Sequence, residues 1–86
     1  MNKDKIFVMV KETIKNVVPK FEDVDINVTD SLKEIGLNSI ERMEVTILLM
    51  EELEIDIPRI ELLGPKNIQE LIELLEKKKA LMGSTA

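Results

Sequence analysis

Ser39 follows Gly36-Leu37-Asn38 and opens the run Ser39-Ile40-Glu41-Arg42-Met43-Glu44-Val45. Asn38 with Glu41 three residues on has the form of a capping box, so a helix is expected to begin at Asn38 or Ser39. A hydroxyl in the first turn of a helix is exposed, and a phosphodiester formed on it would meet free backbone amides and the positive end of the dipole. No base neighbours Ser39 in sequence, which suits a modification acceptor better than a self-activated nucleophile. Taken alone, a serine in this position is ordinary capping. The chain has no histidine and no cysteine, so the commonest general base and transition-metal ligand and the most reactive nucleophile are all missing. Any catalysis would rest on carboxylates, lysines and hydroxyls alone, and the expectation is that this is not an enzyme.

A second constellation is Asp23-Val24-Asp25-Ile26-Asn27-Val28-Thr29-Asp30-Ser31-Leu32-Lys33-Glu34. Asp23, Asp25, Asn27 and Glu34 occupy ligand positions of an EF-hand calcium loop. Val28 stands where that loop needs glycine for its sharp turn, and no second hand accompanies it. The plainer alternative is a solvated acidic loop, and no metal site is assigned.

The elements that must position Ser39 follow from apolar spacing. A first helix spans about Lys3 to Val18, with Phe7, Val10, Ile14, Val17 and Val18 on one face, and Pro19 stops it. Residues 19–37 form a long loop with Ile26, Val28, Leu32 and Ile35 as apolar anchors and a short turn near Asp30–Glu34. The second helix runs to about Leu53. Ile55–Leu63, broken by Pro58, holds one or two short turns, and Gly64-Pro65 punctuates the chain. Asn67 and Glu70 repeat the cap pattern before a last helix with Ile68, Leu71, Ile72 and Leu75 inward and Lys77, Lys78 and Lys79 towards its end. The expected fold is all-α, three principal helices plus one short helix, with residues 1–82 as a single domain and 83–86 as a disordered tail.

Charge is unevenly placed. Residues 1–20 carry five lysines and two acids, a net +3, whereas residues 21–64 carry twelve acids against Lys33, Arg42 and Arg59, a net −9. The acidic middle opposes nucleic acid and suits a partner with a basic docking surface. On the second helix Glu41, Glu44, Glu51 and Glu52 fall on one arc. Val45, Leu49 and Leu53 make a stripe suited to the core, and Ile40, Met43, Ile47 and Met50 make another. Ile6–Val10 is too short and too flanked by charge for a signal peptide, and no run approaches a membrane span. The chain is expected to be cytoplasmic, monomeric and free of membrane contact.

The stretch from Asp30 to Val45 resembles the acyl carrier protein family, in which a Gly-x-Asp-Ser-Leu core receives phosphopantetheine on its serine. The counterpart here is Gly36-Leu37-Asn38-Ser39-Ile40, and the upstream Asp30-Ser31-Leu32 and the later Ile57-Pro58 are also similar to that family. The resemblance covers about residues 3–80 and implies an acyl-carrier-like bundle. It implies 4′-phosphopantetheine attached covalently to Ser39 by a phosphopantetheinyl transferase, and an acyl group held as a thioester on the arm. It further implies docking through Ile40, Met43 and Ile47, with Glu41, Glu44 and Glu51 as the electrostatic part and Arg42 as a basic entry that selects a partner. The usual aspartate before the serine is Asn38 here, an equally good cap without the charge.

Partners implied are an acyltransferase, a ketosynthase or an HMG-CoA-synthase-like enzyme of fatty-acid or polyketide biosynthesis. The Asn38-Ser39 pair with Arg42 is similar to discrete polyketide carriers, among them the acetyl donors of β-branching cassettes. Acceptor carriers of those cassettes bear a tryptophan after the serine, and this chain has none. A peptidyl carrier is the neighbouring class; a helical interaction domain without a prosthetic group is the alternative outside it.

Overall fold

A computed structural model describes residues 2–83, with the side chains of residues 82 and 83 left aside. Four α-helices occur among the described residues: α1 (Lys3–Val17), α2 (Ser39–Leu53), α3 (Arg59–Leu62) and α4 (Ile68–Gly83). A 3-10 turn at Pro19–Phe21 follows α1, and no strand appears among the described residues. Helix α1 lies against both α2 and α4. None of the described helices is long and apolar enough to cross a membrane.

Helix α1 is capped by Asn2, whose side chain accepts from the Lys5 amide at 2.9 Å. Its buried residues are Ile6, Val10, Thr13 and Ile14: Val10 and Ile14 are as expected and Val18 beyond its end is buried too, whereas Ile6 is wholly covered and Phe7 and Val17 only partly. Ile6, Val10 and Ile14 repeat at i, i+4 and i+8, and the stripe centred on them points at the core. Thr13 sits among them because its hydroxyl donates to the Met9 carbonyl at 2.8 Å, so its burial leaves no polar atom unpaired.

The long connection is held at both ends. Phe21, Ile26 and Leu37 are buried in the core, while Val28, Leu32 and Ile35 are half-buried against it. The expected turn is present as one uncontinued helical turn, with the Ile35 amide donating to the Ser31 carbonyl and the Gly36 amide to Lys33. Carbonyls of Val28 and Asp30 accept, each at 2.8 Å, from the first amides of α4, Gln69 and Ile68. These are amides a helix start leaves without partners of its own, so the loop completes α4 as α4 anchors the loop.

The cap expected on α4 is present, with the Glu70 amide donating to Asn67 Oδ1 at 2.9 Å, although the Glu70 carboxylate reaches back to Lys66 rather than Asn67. The lysines near its end act on other elements. Lys79 Nζ donates to the Leu53 carbonyl at 2.8 Å, closing the C-terminus of α2, and Lys78 pairs with Glu61 at 2.8 Å, tying down α3. Of the expected tail, Gly83 falls within α4 and residues 84–86 lie outside those described.

Candidate functional site

Gly36 sets the approach to α2. Its φ of +115° is one that side-chain-bearing residues rarely adopt, and it turns the chain so that Leu37 drops into the core while Asn38 stays exposed. The capping box then forms in full: Asn38 Oδ1 accepts from the Glu41 amide at 2.8 Å, and the Glu41 carboxylate accepts from the Asn38 amide at 2.9 Å. Asn38→Ala removes the first of these bonds and is expected to lower stability by about 1 kcal/mol, read as a shift of the denaturation midpoint at unchanged slope.

Ser39 is the first residue of α2 and is exposed. The group that reaches it is the Arg42 guanidinium, whose Nη2 donates to Ser39 Oγ at 3.2 Å. A guanidinium donates hydrogen bonds and cannot take a proton, so it leaves this hydroxyl unactivated. The backbone amides of Ser39 and Ile40 have no partner within the described residues. A phosphate on Oγ would therefore meet an open approach, two free amides, the positive end of the α2 dipole and a cationic side chain. The residues present fit a phosphodiester-linked arm.

Two depressions flank Ser39. The more enclosed one, about 550 Å³, runs between α2 and α3 past Met43, Met50, Ile57 and Leu62. Methionine sulfurs shape it: Met50 Sδ accepts from the Ile57 amide, and Met43 Sδ from Arg59 Nη2, both at 3.3 Å. The other depression lies on the outer face of α2, floored by Ile40, Met43, Ile47 and Leu48 and edged by Glu44 and Glu51. Ile40 is 79% exposed and Ile47 43%, while Val45, Leu49 and Leu53 of the same helix are fully buried. Of the residues singled out in the sequence, Glu41 is occupied in the capping box and Met50 is half-buried. Leu48, 39% exposed, lies beside Ile47 and was missed, because the helical stripes drawn through Val45 and Ile47 both pass it by.

The calcium-loop residues take no EF-hand arrangement. No α-helix flanks residues 23–34 on either side: a 3-10 turn precedes them, and the turn that closes at Gly36 follows, with Leu37 and Asn38 before α2. The Asp30 carboxylate accepts from the Asn27 amide at 2.8 Å, as a turn residue does.

A small helical bundle that offers an exposed, unactivated hydroxyl at a helix start has the features of a carrier that is modified by others. Residues 10–75 match the family model for the phosphopantetheine attachment site, and the chain belongs to that family. Its prosthetic group is covalent 4′-phosphopantetheine, which supplies the thiol that holds an acyl group as a thioester; the protein carries and does not catalyse. It is 40% identical over 78 residues, 91% of this chain and 95% of the relative, to the polyketide biosynthesis acyl-carrier-protein AcpK of Bacillus subtilis (strain 168). It is also similar, at 42% identity and a TM-score of 0.80, to a chain in the crystal structure of the curacin biosynthetic pathway HMG synthase in complex with acetyl donor-ACP. That match spans 86% of this chain and 95% of the other, so the matched chain is of carrier size.

Proposed function

We propose that Ser39 is the attachment residue and that residues 1–82 act as one monomeric, cytoplasmic carrier domain delivering acetyl units in polyketide β-branching. The observation that carries the attachment site is the exposed Ser39 hydroxyl at the capped start of α2, beside two free amides. Priming forms a bond from Ser39 Oγ to the pantetheine phosphorus as the phosphoanhydride of coenzyme A breaks, the nucleotide leaves and the serine proton is lost. The transferase must supply the base, since the neighbour of this hydroxyl is a guanidinium. Intact-mass measurement after incubation with coenzyme A and a broad-specificity transferase is expected to show the gain of one arm. An unchanged mass overturns the assignment.

The donor role draws on the two similar carriers, one named for polyketide biosynthesis and one seen with an HMG synthase. Delivery would use the outer face of α2. Ile40, Met43 and Ile47 offer apolar contact, Glu44 and Glu51 meet a basic partner surface, and Glu41 and Arg42 border the serine. Acyltransferase, ketosynthase or HMG-synthase-like enzymes would take turns there with modest affinity, so that each releases the carrier.

Ile47→Asp places a charge in the middle of this face. It is expected to raise the KM for acyl transfer to an HMG-synthase-like enzyme by about 10- to 100-fold, in line with a lost interface anchor. Thermal stability should change little, because the side chain is substantially exposed. An unaltered KM would remove Ile47 from the docking face.

A further inference from the structure

Between residues 21 and 64 there are twelve acids and three bases, and all three bases, Lys33, Arg42 and Arg59, line the groove between α2 and α3. Lys66 joins them, and no carboxylate residue lines that groove among the described residues. The depression on the other side is edged by Glu44 and Glu51 and has no cation. Ser39 borders both. The most acidic part of the chain therefore divides at this serine into an anionic outer face and a cationic inner groove.

Arg42 is the member of the cationic side in contact with the serine. Among the described residues it has no ion-pair partner, the salt bridges being those of Lys3 and Lys78. The carboxylate next to it in sequence, Glu41, is turned onto the Asn38 amide. As the fourth residue of α2, Arg42 stands near the end of the helix dipole that disfavours a cation. Its observed acceptor is a neutral hydroxyl at 3.2 Å, which leaves the charge of the guanidinium uncompensated. A phosphodiester on that oxygen would place anionic oxygens two bonds further out, where the fork could donate to two of them.

We infer that Arg42 is the built-in counter-charge of the modified serine. It turns from the hydroxyl to the phosphodiester once the arm is attached, and holds the root of the arm over the cationic groove instead of the acidic docking face. This rests on the reading of Ser39 as the attachment residue. Arg42 is a positioning residue in this role: it touches the phosphate and is remote from the thioester. The arrangement also keeps the phosphate's negative charge from adding to the repulsion within a chain of net charge −5.

The test uses the full chain as wild type, Arg42→Gln and Arg42→Lys, each before and after priming with coenzyme A and a broad-specificity transferase. Intact mass establishes that one arm is present, and thermal unfolding is followed at low and high salt. Priming is expected to raise the Tm of the wild type by about 4 °C at low salt and by much less at 1 M salt, where charges are screened within ~3 Å. Arg42→Gln should lose the rise or show a fall, and Arg42→Lys should keep part of it. An equal rise in primed wild type and primed Arg42→Gln overturns the inference while leaving Ser39 in place. No mass gain in the wild type overturns the Ser39 reading instead. Should the glutamine variant resist priming, the Arg42 side-chain NMR resonance of the wild type decides: it must move on priming, and a fixed resonance counts against the role.

Discussion

Ser39→Ala is expected to abolish loading completely, with no mass gain on incubation with coenzyme A and a transferase, while leaving the fold intact. The separation is clean because the helix start does not depend on the serine. Asn38 supplies the cap, and the Ser39 hydroxyl accepts one long hydrogen bond from Arg42. Alanine is the best helix former and Ser39 is exposed, so the change in stability should stay within about 0.5 kcal/mol. Ser31 lines the same groove but cannot substitute. It is half-buried, its hydroxyl accepts from the Glu34 amide at 3.2 Å, and it sits in a tight turn rather than at a helix start. Ser31→Ala should gain mass as the wild type does, with peptide mapping locating the arm on Ser39. Loading retained by Ser39→Ala would overturn the site.

Leu49→Ala should be strongly destabilising. Leu49 is fully buried between Val45 and Leu53 on the face of α2 turned inward to the core it shares with Ile6, Val10 and Ile14 of α1. Deleting a buried leucine side chain loses its transfer free energy and leaves a cavity that neighbouring helices only partly close, a cost of about 2–5 kcal/mol. Small domains have total stabilities of about 5–15 kcal/mol, so this is a large fraction of the whole. The Tm should fall by at least about 10 °C. Ile47→Ala, two residues away, is the control: Ile47 is exposed on the opposite side, and its loss should leave the Tm nearly unchanged. Equal losses in the two variants would contradict the burial pattern of α2.

Much of the site was legible because it is local. Asn38 and Glu41 cap one another across three residues, and Val45, Leu49 and Leu53 repeat at a spacing that a helix alone turns to one side. The family resemblance supplied the chemistry of Ser39, which a capped serine does not carry by itself. Other features depend on contacts between distant segments. Lys79 closing α2 and Lys78 holding Glu61 join residues far apart in the chain, and no local spacing announces either contact. Ile6 replaced Phe7 on the inner face because the neighbours of α1, and not the composition of its stripe, determine which side is covered.

Ser39 and its cap, the order of the helices and the acidic bias around them are properties of the sequence by itself, since each follows from residues within a turn or two of one another. Tertiary structure decided the two sides of Ser39. Lys33, Arg42, Arg59 and Lys66 are scattered over thirty-four positions and converge on one groove only when the loop before α2, α3 and the approach to α4 pack beside it. Whether Ile40 and Ile47 lie bare or covered likewise depends on which faces of α2 find neighbours, and α1 covers the opposite one. Periodicity states how residues are grouped on a helix; only packing states which group meets water.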